Sequence, residues 1–183
     1  MKVEKTDIEG VAILSPDVFE DERGYFFESY SKRVFDEAVA PVDFVQDNES
    51  CSSYGVIRGL HFQKGEAAQA KLVRAVQGTV WDVAVDLRRS SPTFGRWVAV
   101  ELSAENRRQL FLPRGMAHGF AVLSPKAVFQ YKCDNPYTPS AEGSVAWNDE
   151  RIGIRWPIEE RDVILSDKDR KAPRLCDVKD LFE

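Results

Sequence analysis

The sequence predicts an all-β sandwich or barrel with a few short peripheral helices. Three observations carry that expectation. Apolar residues recur in short runs of period two, as in half-buried strands. Gly, Pro, Ser and Asn clusters punctuate those runs at close spacing. Helix-forming stretches are scarce. The 183 residues, 43% of them hydrophobic, suit one compact domain spanning 1–183 with a core of its own.

The elements follow in order. Segment 32–39 reads as a short helix with Ser31 at its N-cap. The clearest strand covers 80–87. There Trp81, Val83, Val85 and Leu87 share one face, and Val80, Asp82, Ala84 and Asp86 the other. RRSSPTFG (88–95) is a turn, marked by Pro92 and Gly95. A second strand covers 97–102, with Val98, Val100 and Leu102 on one side. After a turn at 103–106, strands are expected at 109–112 and 120–123, separated by a break at Pro113 and Gly115. Segment 127–133 alternates again, placing Ala127, Phe129, Tyr131 and Cys133 together. Ser166 and Asp169 have the spacing of a capping box, and 178–182 reads as a last helical turn. Many short strands favour a sandwich or barrel over an α/β fold.

Composition narrows the function. The net charge is −5, and no run of Lys or Arg stands out, which argues against a nucleic-acid partner. It leaves an anionic small molecule open, because a few arginines can line a pocket in an acidic protein. Cys51, Cys133 and Cys176 are odd in number and far apart. They suggest neither a disulfide framework nor a zinc knuckle, and fit a reducing, cytoplasmic setting. The opening MKVEKTDIEG has no apolar stretch of the kind a secretory signal carries. No run approaches the roughly 18 apolar residues of a membrane span.

Only two histidines are present, His61 in RGLHFQ (58–63) and His118 in PRGMAHGF (113–120). The spacing P-x-G-x-x-H resembles the second cupin motif. The first cupin motif carries H-x-H, but here that place reads His61-Phe62-Gln63. At most two of three customary imidazoles remain, so no metal site is expected. Acid–base chemistry is then the natural use of the cavity.

The resemblance extends along the chain. DERGYFFE (21–28), FVQDN (44–48), RGLHFQ, KLV (71–73), DVAVDLR (82–88) and SPTFG (91–95) occur in order. PRGMAHGF, YKC (131–133), WND (147–149), Trp156-Pro157 and S-x-K-D (166–169) follow. Together these segments resemble the dTDP-4-dehydrorhamnose 3,5-epimerase family over about residues 8–173. The resemblance implies a cupin-type β-jelly-roll and a homodimer with exchanged N-terminal strands. It implies cofactor-independent inversion of C3 and C5 in a dTDP-linked 4-keto-6-deoxy sugar, as in dTDP-rhamnose biosynthesis.

That chemistry needs a base, an acid on the opposite face and positive charge at the enolate oxygen. By the resemblance, His61 is the base, Asp169 orients it, Tyr131 is the acid and Lys71 stabilises the enolate. His118 contacts the same oxygen or the diphosphate. Arg23, Glu28, Gln46, Asn48, Arg58, Glu142 and Lys168 are implied to bind the sugar nucleotide; arginine suits a diphosphate through paired charge-assisted bonds. Each also has a plainer reading. A core tyrosine, a capping aspartate, turn residues at 47–48 or solvated charges would look alike. Two departures stand out: Met116 fills a slot between Gly115 and Ala117 that usually holds an aromatic, and Pro136 precedes Tyr137 near the proposed acid. Three other readings share the fold: a single-carbon epimerase, a metal-dependent cupin and a non-catalytic sugar-nucleotide-binding module.

Overall fold

The computed structural model describes all residues, 1–183. Thirteen strands run in chain order. They are β1 (Lys2–Lys5), β2 (Ala12–Ser15), β3 (Phe19–Asp21), β4 (Gly24–Phe26), β5 (Gln46–Ser53), β6 (Ile57–Gln63), β7 (Lys71–Gln77), β8 (Thr79–Asp86), β9 (Trp97–Ser103), β10 (Gln109–Leu112), β11 (Met116–Val122), β12 (Lys126–Cys133) and β13 (Glu142–Ser144). Helix α1 (Lys32–Ala38) lies between β4 and β5, and α2 (Asp167–Arg170) near the C-terminus. Two antiparallel sheets face each other, in the orders β1-β2-β10-β7-β12-β5 and β13-β6-β11-β8-β9. Strands β3 and β4 form a separate hairpin. This is the expected cupin-type jelly-roll. No helix is long and apolar enough to cross a membrane.

Period-two patterning explains the layers. On β8 the Val80/Asp82/Ala84 face looks into the space between the sheets. Val80 and Ala84 join Val73, Val100, Leu110, Phe120 and Phe129 there. The Val83/Val85/Leu87 face looks outward and is covered by the C-terminal third of the chain, through Val145, Ile152, Leu175 and Val178. Burial on both sides is why β8 and β11 are so apolar. On the six-stranded sheet, α1 sets Phe35 against Leu14, Leu72 and Phe111.

Two sequence expectations need correction. Segment 178–182 is not helical: a 3-10 turn occupies Leu175–Asp177, and Phe182 bridges to Arg88. Val178, Leu181 and Phe182 all bury apolar surface on the outer sheet face, and Asp180 takes a left-handed φ of 58°, which ends any helix. The break after β10 is shorter than expected. Gly115 makes the turn at φ 95°, and Met116 already pairs with Asp86. His118 therefore sits inside a strand and does not close a turn. Ser31 occupies the N-cap of α1 without a side-chain capping bond.

Candidate active site

His61 lies on β6, between β13 and β11, opposite Ser144 on one side and His118 on the other. Pairing on both edges fixes which face the imidazole takes. The adjoining glycines allow the approach. A Cβ on Gly59 (φ 131°) would lie 2.5 Å from the Gly119 Cα. A Cβ on Gly119 would lie 2.8 Å from the Arg58 carbonyl oxygen. The ladder shifts register between His118 and Phe120 at this point, so both histidines stand beside a bulge.

His61 Nε2 lies 2.5 Å from Asp169 Oδ1. The His61 side chain keeps 29% of its surface, whereas that of Asp169 keeps 4%. A carboxylate only accepts, so Nε2 is the donor here, and in the neutral imidazole Nδ1 is the nitrogen with the lone pair. Ser166 Oγ donates to Asp169 Oδ2 at 2.7 Å and accepts from the Asp169 N–H at 3.1 Å. Asp169 is thus at once a residue of a capped helical turn and the partner of His61. Burial pushes its carboxyl upward; hydrogen bonds from His61 and Ser166, with the nearby charges of His61 and Lys168, outweigh that and hold it below the usual range.

The opposite sheet supplies the facing groups. Lys71 opens β7 opposite Cys133, and Tyr131 on β12 stands opposite Val73. Lys71 Nζ lies 5.7 Å from the centroid of the Tyr131 ring. The Lys71 chain is half-buried, and its ammonium end is desolvated, which lowers its pKa. Burial raises the Tyr131 phenol above its ordinary value and pushes the Cys133 thiol up to about 11.

His118 is buried. Its Nε2 lies 2.9 and 3.1 Å from the two oxygens of Asp82, and its ring stacks on Phe129 at 6.0 Å. Asp82 is fully enclosed, and burial raises its pKa against the opposing pull of His118 and Lys71.

The remaining candidates divide. Gln46 and Asn48 stand on β5 opposite Cys133 and Tyr131, and Gln46 Nε2 donates to Asn48 Oδ1 at 3.0 Å. Gln46 Oε1 also receives the Tyr137 N–H at 2.9 Å. Arg58 Nε donates to Ser52 Oγ at 3.0 Å, and its charge acts on Tyr131, as does that of Glu142. Lys168 is ion-paired to Glu142. Arg23 and Glu28 are not brought to this cluster within one chain. Arg23 is exposed and paired to Asp21. Glu28 lines a separate cleft with Phe19, Phe26 and Tyr30.

Sequence reasoning passed over four residues. Asp82 was legible, as a carboxylate at the centre of an otherwise apolar strand face. Ser166 was read as a cap, not as a donor to the Asp169 carboxylate. Cys133 looked like ordinary core. Gln63 stands out in the sequence only as the residue in the place of the second H-x-H histidine; it is buried, its Oε1 receives the Thr138 N–H at 2.6 Å, and its Nε2 donates to the Ala67 carbonyl at 2.9 Å.

Comparison with known proteins shows the family. The sequence model of the dTDP-4-dehydrorhamnose 3,5-epimerase family matches residues 5–177. The enzyme of that name from Salmonella typhimurium is 59% identical over 176 residues, 96% of each chain. The crystal structure of dTDP-4-dehydrorhamnose 3,5-epimerase from Elizabethkingia anophelis is similar at 57% identity and a TM-score of 0.93, with 97% of each chain covered. The Legionella pneumophila dTDP-6-deoxy-D-glucose-3,5-epimerase, solved in complex with dTDP-4-keto-L-rhamnose, is 46% identical. Its TM-score is 0.94, covering 97% of this chain and 94% of that one. This chain belongs to the dTDP-4-dehydrorhamnose 3,5-epimerase family.

Proposed function

We propose that this single-domain enzyme inverts C3 and C5 of dTDP-4-dehydro-6-deoxy-D-glucose to give dTDP-4-dehydro-L-rhamnose, using its own side chains alone. One observation carries the mechanism. His61 lies on one sheet with Asp169 of α2 at its Nε2, and Lys71 and Tyr131 lie on the other sheet. A sugar ring between them meets a base on one side and an acid on the other.

Both carbons flank the C4 ketone, so loss of either proton gives an enolate. His61 Nδ1 takes the proton, and Asp169 stabilises the imidazolium that forms. The bond electrons move to the C4 oxygen, where the Lys71 ammonium offsets the developing charge. Tyr131 donates a proton from the opposite face; the phenolate then regains a proton from solvent and the His61 imidazolium releases one to it, which resets both groups for the second carbon. Burial keeps Tyr131 protonated beyond the ordinary phenol range. His118 contacts the same oxygen or the diphosphate. Gln46, Asn48, Arg58, Glu142 and Lys168 hold the nucleotide.

Arg23 and Glu28 complete the site in trans. Phe19 and Phe26 on the hairpin arm expose 67% and 71% of their surface, more apolar area than an isolated arm would present. A second copy covers it in a homodimer with exchanged N-terminal strands. The three free cysteines favour a cytoplasmic setting.

The test is incubation with dTDP-4-dehydro-6-deoxy-D-glucose in heavy water, followed by proton NMR, with His61→Ala and Tyr131→Phe alongside. Deuterium at C3 and C5 that vanishes with His61→Ala is expected. Exchange at C3 alone would make the protein a single-carbon epimerase. Binding without exchange would leave a sugar-nucleotide-binding module.

A further inference from the structure

Gln63 ends β6 two residues beyond His61, on the same face of the strand. The enolate mechanism gives it no task, yet only 4% of its surface is exposed. Its whole amide is engaged. Nε2 donates to the Ala67 carbonyl at 2.9 Å and to the Pro136 carbonyl at 3.2 Å, and Oε1 receives the Thr138 N–H at 2.6 Å. No polar atom of this buried group is left without a partner. The bonds also cross between the sheets. Gln63 belongs to the five-stranded sheet, whereas segment 134–138 leaves the six-stranded sheet at the end of β12, just after Cys133.

A further bond leads on from that segment. Between Pro136 and Thr138, the Tyr137 N–H donates to Gln46 Oε1 at 2.9 Å. A backbone N–H only donates, so the Gln46 amide turns its oxygen to the segment and its Nε2 to Asn48 Oδ1, at 3.0 Å. Asn48 then turns Nδ2 away, toward Cys133 Sγ at 3.8 Å. An amide flipped end for end has nearly the same shape, so it is this succession of donors and acceptors that selects one orientation for each.

We propose that Gln63 is a positioning residue for nucleotide binding: it clamps segment 136–138 and, through the Tyr137 N–H, fixes the Gln46 and Asn48 amides in the orientation that meets the nucleotide. The functional consequence rests on the assignment of Gln46 and Asn48 to the nucleotide made above.

The neighbouring residues are anchored without Gln63. Asp134 Oδ1 receives the Ala70 N–H at 2.7 Å. Asn135 Nδ2 donates to the Glu66 and Ala68 carbonyls at 2.9 and 3.0 Å. Loss of the Gln63 amide therefore loosens 136–138 and spares 134–135.

The test compares the wild type with Gln63→Met, which keeps length and removes the amide. Hydrogen exchange is followed by NMR at the Tyr137 amide, which bonds to Gln46 and not to Gln63. The Ala70 amide is the internal control. Affinity for dTDP is measured by calorimetry, and KM and kcat by steady-state assay. In Gln63→Met the Tyr137 amide should exchange about tenfold faster or more, with Ala70 unchanged. The dTDP Kd should rise about tenfold, and KM should change more than kcat. A lower Tm with Tyr137 exchange and dTDP affinity unmoved overturns the proposal, as does a fall in kcat alone. Gln46→Ala separates this inference from the reading beneath it. If that variant binds dTDP as the wild type does, the nucleotide assignment fails, and Tyr137 exchange alone decides whether Gln63 is the clamp. Should Gln63→Met not fold, Gln63→Glu decides by the same measurements, because it keeps an acceptor for the Thr138 N–H and loses both amide donors.

Discussion

His61 and His118 stand opposite each other on adjacent strands, and each turns Nε2 to a carboxylate from a different part of the fold. Asp82 reaches His118 from the neighbouring strand β8. Asp169 reaches His61 from α2, in the C-terminal third. The two pairs thus differ in how they are held, and variants should separate them.

On the proposed mechanism, His61→Ala removes the base, and the exchange rate should fall roughly a thousandfold. Ser166→Ala should act more gently through Asp169. It removes the hydroxyl that both caps α2 and donates to the carboxylate. A stability loss of about 1 kcal/mol is expected from urea unfolding. A lower kcat at unchanged KM is expected from steady-state assay. Unchanged kcat would mean that the hydroxyl serves only the cap.

Gly59→Ala should be severe. Its Cβ would sit 2.5 Å from the Gly119 Cα, at a φ of 131°. Both neighbours are backbone in a two-sided strand pairing, so neither can yield cheaply. The cost should be roughly 3 kcal/mol, measured by thermal unfolding. The same change at Gly24, which meets nothing within 4 Å, lacks the packing component and keeps only the conformational one from its φ of 124°.

Asp86 should shape acid stability. Burial pushes its carboxyl up; hydrogen bonds from Arg88, Ser91 and Thr93 overcome that and take it from 3.8 down to about 2. A depressed carboxylate contributes stability that is full above the unfolded value and disappears as pH falls through the folded one. The contribution, roughly 2 kcal/mol, should be complete above pH about 4 and vanish toward pH 2. Asp86→Asn should therefore be less stable than wild type at pH 6, with the gap narrowing as pH drops to 2. A gap independent of pH would refute this assignment.

If the proposed homodimer forms through the hairpin arm, Phe26→Asp should give a monomer in sedimentation velocity, because Phe26 lies exposed on that arm. The monomer should keep its far-UV spectrum and bind the sugar nucleotide more weakly, since Arg23 and Glu28 then lack a partner site. A variant that remains dimeric with unchanged affinity would place the interface elsewhere.

Much of this was legible in the sequence, for identifiable reasons. Alternation along 80–87 and 127–133 gave strands and inner faces, because a pleated backbone leaves no other reading of period two. Lys71 could be placed inward from Val73 and Ala75 by the same logic. The strand containing His118 was legible only in part, because the Pro113 and Gly115 punctuation masks how soon pairing resumes. The C-terminal 178–182 misled, since its apolar spacing fits one helical face as well as it fits an extended coat over a sheet. Above all, the meeting of residues 61 and 169 is long-range. Nothing local in SDKD (166–169) points toward a strand more than a hundred positions earlier.

Helix α2 hangs between two backbone anchors. Ile164 exchanges hydrogen bonds with Gly55 and Ile57, and the Pro173 carbonyl accepts from the Ala146 N–H at 2.8 Å. Every strand of both sheets precedes residue 145 in the chain. All the sheet residues are therefore synthesised before Asp169, the carboxylate partner of His61. On the proposed mechanism, the segment after residue 144, which forms no strand of either sheet, completes the pair that His61 needs.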